Sequence, residues 1–230
     1  MTMSAEPTPT ATKPATLKPR PRGRPPGGSE QGAETRERIL RVATELFAEK
    51  GYHGTGVAEI GERAAIRRGA LYYHIVSKEE LLFEVMSPHV REVLEEAERV
   101  VISDLDPADK LRRLMAHQVR TIAKRRSEVV IFFRDFGALT GDRATELQDL
   151  RDQVEDAWRA VLEEGVEKGL FVSGDRVTVD GILGLVNWVY LWYRPDGELT
   201  PEEIADRFAG LLLRGLLTDR GRRRGRRRAA

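Results

Sequence analysis

Basic and aromatic side chains are concentrated between residues 67 and 78, and their types suit contacts with DNA. The sequence predicts two short helices, 57–64 and 67–74, joined by the tight turn Ala64-Ala65-Ile66, which is a helix-turn-helix arrangement spanning about residues 56–75. The second helix of such a pair enters the major groove, where side chains contact base edges. Four of its side chains are predicted to face DNA: Arg67, Arg68, Tyr73 and His74. The alternative is a helical bundle whose basic helix has no role in DNA binding.

Two further residues of this segment suit the backbone of a duplex. Gly69 has no side chain, so the helix can approach DNA closely. Lys78 opens the following helix, where it can reach a phosphate beside the free N–H groups of the first turn. Leu71 and Ile75 are spaced like residues that face a core. The segment therefore predicts a DNA-binding surface backed by its own small core.

A second basic motif lies in the N-terminal arm, where Arg22 and Arg24 flank Gly23 between two prolines. Extended arms with paired arginines bind the narrow minor groove of A·T-rich DNA, as homeodomain arms do. Residues 1–33 contain almost no large apolar residues, so they are predicted to be a disordered arm with an AT-hook-like motif. The alternative is that the arm is a solvated linker.

The charge distribution also indicates a polyanionic partner. Residues 1–34 carry five basic and three acidic side chains, and the predicted disordered tail, 220–230, carries seven arginines and no acid. The whole chain has a net charge of +1, so subtracting +2 and +7 for the two ends leaves −8 for residues 35–219. Basic ends on an acidic body suit DNA. Charged ends that only maintain solubility are the alternative.

Several other classes of protein are disfavoured. The chain has no cysteine, and its four histidines lack the spacing of metal ligands. No nucleophile motif or phosphate-binding loop is found, so neither an enzyme, a metal site nor a cofactor is predicted. No apolar run is long enough to span a membrane, and no secretory signal precedes the first helix, so a cytoplasmic protein is predicted.

Helical periodicity runs through the middle of the chain, and no alternating run predicts a sheet. The pattern predicts an all-α fold of about nine helices, with a three-helix DNA-binding domain at 34–80 and a larger ligand-binding and dimerisation domain at 81–219. Gly51 is predicted as the C-cap of the first helix. Four helix starts carry predicted N-caps: Ser77, Asp106, Ser127 and Thr200. Glu80 and Glu203 complete capping boxes at the first and last of them.

The N-terminal segment resembles the TetR family of bacterial regulators. The similarity lies in Thr35 to Leu40, in Glu45 to Tyr52 and most strongly in Gly69 to Leu81. The resemblance implies a two-fold homodimer on a palindromic operator of double-stranded DNA. It also implies that base and phosphate contacts come from one set of residues: Arg68, Gly69, Tyr72, Tyr73, His74 and Lys78.

Three positions depart from this family's pattern. Gly56 stands where the family usually has a Thr or Ser cap on the second helix. Ala65 replaces the usual glycine of the turn, and Arg67-Arg68 replaces the common Ser-Lys. The departures affect the expected details of DNA contact.

The resemblance further implies an effector pocket and a dimer interface in the rest of the chain. The interface is expected on the last two helices, 176–194 and 201–218, through mostly apolar residues: Leu183, Val186, Val189, Tyr190, Phe208, Leu211, Leu212 and Gly215. A pocket for a small apolar ligand combines aromatic walls with a few polar groups. The candidates are Gln118, Phe132, Phe133, Phe136, Trp158, Asn187, Trp188 and Trp192. For each aromatic residue, the alternative is an ordinary core position.

The stretch from Trp192 to Ala205 resembles family members that control lipid, steroid or fatty-acid catabolism, several of which respond to acyl-CoA thioesters. A coenzyme A tail needs cations, and one basic run is available: Arg112, Arg113, Arg120, Lys124, Arg125 and Arg126. The alternative for that run is a solvated helix face. We therefore expect a repressor released by a small apolar ligand, with an acyl-CoA thioester as one hypothesis. The other hypothesis is an architectural or activating DNA-binding protein without an effector.

Overall fold

Helices form most of the described chain. The computed structural model describes residues 30–219, leaving aside the side chains of residues 30, 31 and 68. In that range the α-helices are α1 (Glu30–Gly54), α2 (Val57–Arg63), α3 (Arg68–His74), α4 (Lys78–Val101), α5 (Pro107–Lys124), α6 (Arg126–Asp135), α7 (Gly141–Glu167), α8 (Arg176–Asn187), α9 (Val189–Trp192) and α10 (Pro201–Leu216). A short 3₁₀ turn, Phe136–Ala138, follows α6. The prediction of an all-α fold with about nine helices is confirmed, and the apolar stretch predicted as one helix is divided at Trp188 into α8 and α9.

Capping residues begin several of these helices as predicted. Asp106 accepts a hydrogen bond from the backbone N–H of Ala108, and Thr200 and Glu203 form a reciprocal capping box. Ser77 Oγ accepts from the backbone N–H of the third helical residue at 2.9 Å. That residue's carboxylate, predicted to complete the box, instead binds Arg143.

The predicted cap at Ser127 is wrong. Helix α6 starts at Arg126, and Arg125 occupies the N-cap position without a side-chain cap. The two helices α5 and α6 therefore follow each other with one residue between them, and Ser127 lies inside the first turn of α6. The extended segment that a serine cap needs is absent from this junction.

The first three helices enclose a small core. Gly51 has φ of +78° and breaks α1, which confirms the predicted need for a residue that tolerates this conformation. Leu71 and Ile75 are both buried, as predicted from their spacing. A Cβ at Gly61 would lie 2.8 Å from Leu71 Cδ2, so α2 and α3 approach each other too closely for a side chain at that position.

The turn between α2 and α3 contains a left-handed alanine. Ala65 has φ of +54°, a conformation that glycine adopts readily and alanine does not. The backbone N–H groups of Ala65 and Ile66 donate to the carbonyls of Glu62 and Gly61, which closes the turn. Ala65, where the resemblance implies a glycine, therefore adopts a backbone conformation that favours glycine.

The other helices pack around α4 and α5. Helix α4 packs along α7, and α10 packs along α5. Trp158 of α7 is fully buried in the resulting core. Side chains of α4 to α8 also surround a cavity, which is described below.

Candidate functional site

The outward face of α3 exposes two large aromatic side chains. Tyr72 is 58 % exposed and Tyr73 is 49 % exposed. Arg67 is exposed just before the helix, and His74 at its end is partly buried, edge-on to Tyr73 with 5.7 Å between ring centroids. A Cβ at Gly69 would meet no atom within 4 Å, so this glycine is not required by packing within the chain. The face therefore offers hydrogen-bonding aromatic side chains and an open backbone to a partner.

Three of the predicted DNA contacts lie outside the described residues. Arg22 and Arg24 belong to the arm before residue 30, and the Arg68 side chain is left aside. The Arg-rich tail after residue 219 also lies outside.

Lys78 connects the start of α4 to the end of α1. Its Nζ donates to the carbonyls of Tyr52 and Thr55, both at 2.8 Å, and lies 4.1 Å from the centroid of the Tyr52 ring. Burial lowers the pKa of this ammonium group below its ordinary value. These carbonyls lie at and just beyond the C-terminal end of α1, where few backbone donors are available, so Lys78 stabilises the end of α1. Its predicted contact with a phosphate stays a prediction.

The N-terminus of α2 lacks a side-chain cap. Gly56 occupies the N-cap position with extended backbone and makes no side-chain hydrogen bond. A Cβ there would meet nothing within 4 Å, so a serine or threonine would fit. Gly56 is therefore the N-cap of α2, and the loss of a phosphate-binding hydroxyl at this position stays a prediction.

The last residues of α6 hold the end of α1. The Arg134 guanidinium donates to the carbonyls of Phe47 and Ala48, and it also pairs with Asp135. The Asp135 carboxylate accepts a hydrogen bond from the backbone N–H of Tyr52 at 3.3 Å. Arg134 therefore lies at the junction with α1 and not in the wall of the cavity described below. We call Arg134 and Asp135 the clasp.

Helix α4 makes a second set of contacts with the helices around it. Arg36 of α1 donates to the carbonyl of His74 and pairs with Glu84 of α4. Glu79 accepts from both the backbone N–H and the hydroxyl of Thr140, just before α7. The start of α4 is thus fixed to the DNA-reading helices on one side and to the helical body on the other.

A cavity of about 260 Å³ lies between α4, α5, α6, α7 and α8. Its apolar wall includes Phe132 and Phe133, and Gln118 and Asn187 contribute polar groups, so four of the predicted ligand-binding residues are together here. Gln118 Nε2 donates to Asn187 Oδ1 at 2.8 Å. Phe133 is 40 % exposed, which places it near an opening of the cavity.

The other four predicted ligand-binding residues are not in the cavity wall. Phe136 packs behind Phe132, with 5.5 Å between ring centroids. Trp158 is buried in the core. Trp188 and Trp192 are 61 % and 44 % exposed on the outer surface.

Five polar residues of the cavity wall were not identified from the sequence: His89, Thr121, Arg151, Glu155 and Asp180. A polar residue among the apolar positions of α4 was the available signal for His89. Burial and the nearby Arg125 charge lower the pKa of the His89 imidazole to about 4. This side chain is therefore neutral near pH 7.

Most of the basic run suggested for a coenzyme A tail is already paired. Arg113 binds Glu96, and Lys124 and Arg125 both bind Glu92. Arg112 pairs with Asp109 in the next turn of the same helix. The pairs with Glu92 and Glu96 hold the run to α4, and all four pairs reduce the positive charge that it presents to a ligand.

Helices α8 to α10 expose an apolar surface, which we call the outer face. It comprises Val177, Trp188, Leu191, Trp192 and Leu211, all at least 44 % exposed. A Cβ at Gly181, Gly184 or Gly215 would meet nothing within 4 Å, so these glycines leave the surface open to close approach. Val186 and Val189, suggested from the sequence for a dimer interface, are fully buried within the chain.

The described residues contain neither a cluster of metal ligands nor a membrane-spanning helix. No group of three His, Asp or Glu side chains within residues 30–219 is arranged to hold a metal ion. No helix in the same range has the length and apolarity needed to cross a membrane.

An all-helical chain that presents a helix-turn-helix beside a helical body has the architecture of a DNA-binding regulator. Residues 39–85 match the family model of bacterial regulatory proteins of the tetR family, and residues 104–216 match the tetracyclin repressor-like C-terminal domain. The chain belongs to the TetR family.

Individual relatives extend this similarity over most of the chain. The HTH-type transcriptional repressor KstR2 of Rhodococcus jostii is 32 % identical over 196 residues, covering 84 % of this chain and 96 % of the relative. The structure of the ketosteroid transcriptional regulator KstR2 of Mycobacterium tuberculosis has a TM-score of 0.74 at 28 % identity, covering 80 % of this chain and 95 % of that chain. AibR in complex with isovaleryl coenzyme A and operator DNA has a TM-score of 0.69 at 30 % identity, covering 77 % and 97 %.

Proposed function

We propose that this chain is a transcriptional repressor that binds a palindromic operator as a homodimer and leaves it when a small, largely apolar ligand binds. The observation that carries the proposal is the cavity, whose wall helices α4 and α6 also contact the helices around the reading surface. Relatives named as KstR2 repressors support repression as the output. Such a regulator acts in the cytoplasm, where its operator is.

The reading surface in this proposal consists of residues of α3 and its flanks: Arg67, Arg68, Gly69, Tyr72, Tyr73, His74 and Lys78. Tyr73→Ala removes an exposed side chain without opening the core, so it is expected to weaken operator binding by about 5- to 150-fold if the side chain contacts a base. Fluorescence anisotropy on DNA from upstream of the gene measures this. Ile102→Ala, which removes an exposed apolar side chain far along α4, is the matched control.

The outer face is the proposed dimer interface. Exposed tryptophans surrounded by open glycines are expected to be covered, because single chains seldom expose contiguous apolar patches of this kind. Trp188→Glu should therefore convert a dimer into a monomer in sedimentation velocity. Ile102→Glu introduces the same charge at an exposed apolar position on α4 and should leave the dimer intact. A Trp188→Glu protein that remains dimeric would remove this surface from the proposal.

Ligand release follows from differential binding to two conformations. Two reading helices of a dimer must lie about 34–36 Å apart to enter successive major grooves. A ligand that prefers a cavity shape incompatible with that spacing lowers operator affinity, typically by about 5- to 150-fold. The proposed carriers are α4, which joins reader and body directly, and α6 through its clasp.

An acyl-CoA thioester remains one hypothesis for the ligand. It is supported by the AibR complex with isovaleryl coenzyme A and operator DNA. The paired state of the basic run on α5 weighs against a strong phosphate site there. Thermal shift and operator release with a panel of acyl-CoAs test it, since a ligand of the folded state raises the melting temperature. No effect of any panel member would remove thioesters from consideration.

The alternative function is an architectural or activating DNA-binding protein without an effector. Activation is supported as an alternative by a relative named as the HTH-type transcriptional activator FasR, which is 34 % identical over 94 residues. An architectural protein predicts little sequence preference and no ligand response, whereas an activator predicts lower transcription when the gene is deleted. Transcript levels of the neighbouring genes in a deletion strain separate these outcomes from repression.

The arm before α1 is proposed to add minor-groove contacts through Arg22 and Arg24. Removing residues 1–29 should weaken operator binding and reduce its dependence on salt concentration, because fewer counterions are released. Exchanging both arginines for glutamine in the full-length chain should reproduce the effect. Unchanged affinity and an unchanged salt slope would show that the arm is a linker.

A further inference from the structure

Two buried polar atoms of the cavity wall lack a hydrogen-bond partner. His89 Nδ1 and Gln118 Oε1 are buried without a partner at hydrogen-bond geometry, although the His89 imidazole also interacts with the backbone of Met86, and both residues line the cavity. The third unpaired atom among the described residues, Trp158 Nε1, belongs to a residue outside the wall. Buried polar groups are usually paired because leaving them unpaired is unfavourable. Two such atoms on one cavity therefore indicate groups that a ligand completes.

Gln118 is held in a defined orientation. Its Nε2 donates to Asn187 Oδ1 at 2.8 Å, which leaves Oε1 as an acceptor without a donor. The amide connects α5 with α8 across the cavity wall. A ligand that supplies a donor to Oε1 would complete this pair without breaking the existing bond.

His89 adds a second uncharged polar group. Its ring lies edge-on to Phe132 with 5.0 Å between centroids, so it is fixed among apolar neighbours. Burial and the Arg125 charge lower its pKa to about 4, which leaves the imidazole neutral near pH 7. It therefore offers a hydrogen bond but no positive charge to a ligand.

The remaining charges of the wall do not favour an anion. Arg151 is accompanied by two acids, Glu155 and Asp180. The Arg151 guanidinium lies over the Phe136 ring, 4.9 Å from its centroid. A carboxylate inside this cavity would meet more negative than positive charge, whereas an uncharged polar group would meet the two unpaired atoms.

We propose that the cavity selects ligands whose enclosed end is apolar and carries an uncharged hydroxyl group, which donates a hydrogen bond to Gln118 Oε1 beside the His89 imidazole. The proposal rests on the proposed function in taking this cavity as the effector site. It specifies the enclosed end of the ligand and is independent of any group outside the cavity.

The test compares two constitutional isomers, octan-1-ol and heptyl methyl ether, which differ in whether a hydroxyl donor is present. Binding to the full-length protein is measured by calorimetry without DNA, so its outcome is independent of operator binding. The alcohol is expected to bind about tenfold more tightly than the ether, the effect of one hydrogen bond of about 1.4 kcal/mol. Octanoate, which brings a negative charge, is expected to bind more weakly than the alcohol.

Variants of Gln118 assign the preference to this residue. Gln118→Met keeps the length of the side chain but removes the acceptor, so the alcohol and the ether should bind equally. Gln118→Glu retains an acceptor and should retain the preference, which also guards against a Met variant that fails to fold. His89→Phe keeps the aromatic contact with Phe132 and should reduce the preference. Gln153→Met, on an exposed position of α7, is the control and should bind as the unaltered protein does.

Three results would overturn the inference. They are equal binding of alcohol and ether by the unaltered protein, a preference that persists in Gln118→Met, and the absence of binding by the alcohol. None of them bears on operator recognition. Loss of the proposed function would instead appear as a failure to bind upstream DNA specifically, with ligand binding unaffected.

Discussion

The left-handed backbone conformation of Ala65, in the turn of the helix-turn-helix, leads to a testable prediction about the free energy of unfolding. Ala65→Gly relieves a conformation that costs an L-residue about 1–2 kcal/mol. Glycine also loses more backbone freedom on folding, which offsets about 0.5–1 kcal/mol of that gain. The Ala65 side chain is exposed, so its removal loses little burial. The net expectation is a stabilisation of about 0.5–1 kcal/mol, or roughly 1–4 °C in melting temperature for a chain of this size.

The measurement is urea denaturation and a thermal melt at one fixed protein concentration, because a dimer's stability depends on concentration. Ala70→Gly is the matched control: it is the same change at an exposed position inside α3, and it should destabilise by about 1 kcal/mol. The two variants are therefore predicted to differ in sign. If Ala65→Gly destabilises as much as Ala70→Gly, the turn does not store the strain that its φ of +54° implies.

Four further predictions follow from individual contacts. Gly61→Ala should destabilise by about 1–3 kcal/mol in urea denaturation, because its Cβ would lie 2.8 Å from Leu71 Cδ2 in a packed core; Gly69→Ala, in open space inside α3, should instead stabilise by about 0.5–1 kcal/mol, since alanine is preferred over glycine in a helix. Gly56→Ser should stabilise by a few tenths of a kcal/mol, about 0.3, by capping α2, and unchanged stability would mean that the hydroxyl finds no N–H partner. Gly165→Ala should destabilise strongly in the same assay, by about 3 kcal/mol or more, because its Cβ would lie 2.0 Å from the Phe171 ring; a loss below about 1 kcal/mol would mean that the ring moves freely. The folded pKa of His89, about 4, lies below the ordinary 6.5, so the unfolded chain binds the proton more readily and stability should fall as the pH drops from 6.5 towards 4; His89→Phe should flatten this part of the stability profile, and an unchanged slope would assign it to other groups.

The features that the sequence predicted best depend on neighbours along the chain. The capping box at Thr200, the Asp106 cap of α5 and the positive φ of Gly51 each involve residues within about one helical turn. The burial of Leu71 and Ile75 follows from helical spacing in the same way. Glu80 shows where such reasoning fails. Its carboxylate was predicted to bind the Ser77 backbone nearby, but it binds Arg143 of the distant helix α7.

The cavity depended on contacts that no local pattern contains. Aromatic residues identify an apolar helix face, but they do not indicate whether that face meets a cavity, the core or the outer surface. Phe132, Trp158 and Trp188 have similar chemistry and occupy one of these environments each. Trp188 is 61 % exposed whereas its neighbours Val186 and Val189 are fully buried, so the packing of whole helices decides which of these side chains faces solvent. Because local patterns do not distinguish these environments, only four of the eight predicted ligand-binding residues line the cavity.

The clasp gives α6 a part in the proposed coupling between the cavity and the DNA-reading helices α2 and α3. Helix α4 is the other proposed connection, because it follows α3 directly along the chain. Phe133 contributes to the cavity wall, and the next two residues, Arg134 and Asp135, bind the backbone at the end of α1. Adjacent residues of one helical turn move together, because the backbone hydrogen bonds of a helix resist local extension. A ligand that shifts the backbone of α6 at Phe133 would therefore either move the end of α1 or break the clasp. The Gly51 break in α1 lies beside the clasp, so the part of α1 that leads into α2 and α3 can change direction there.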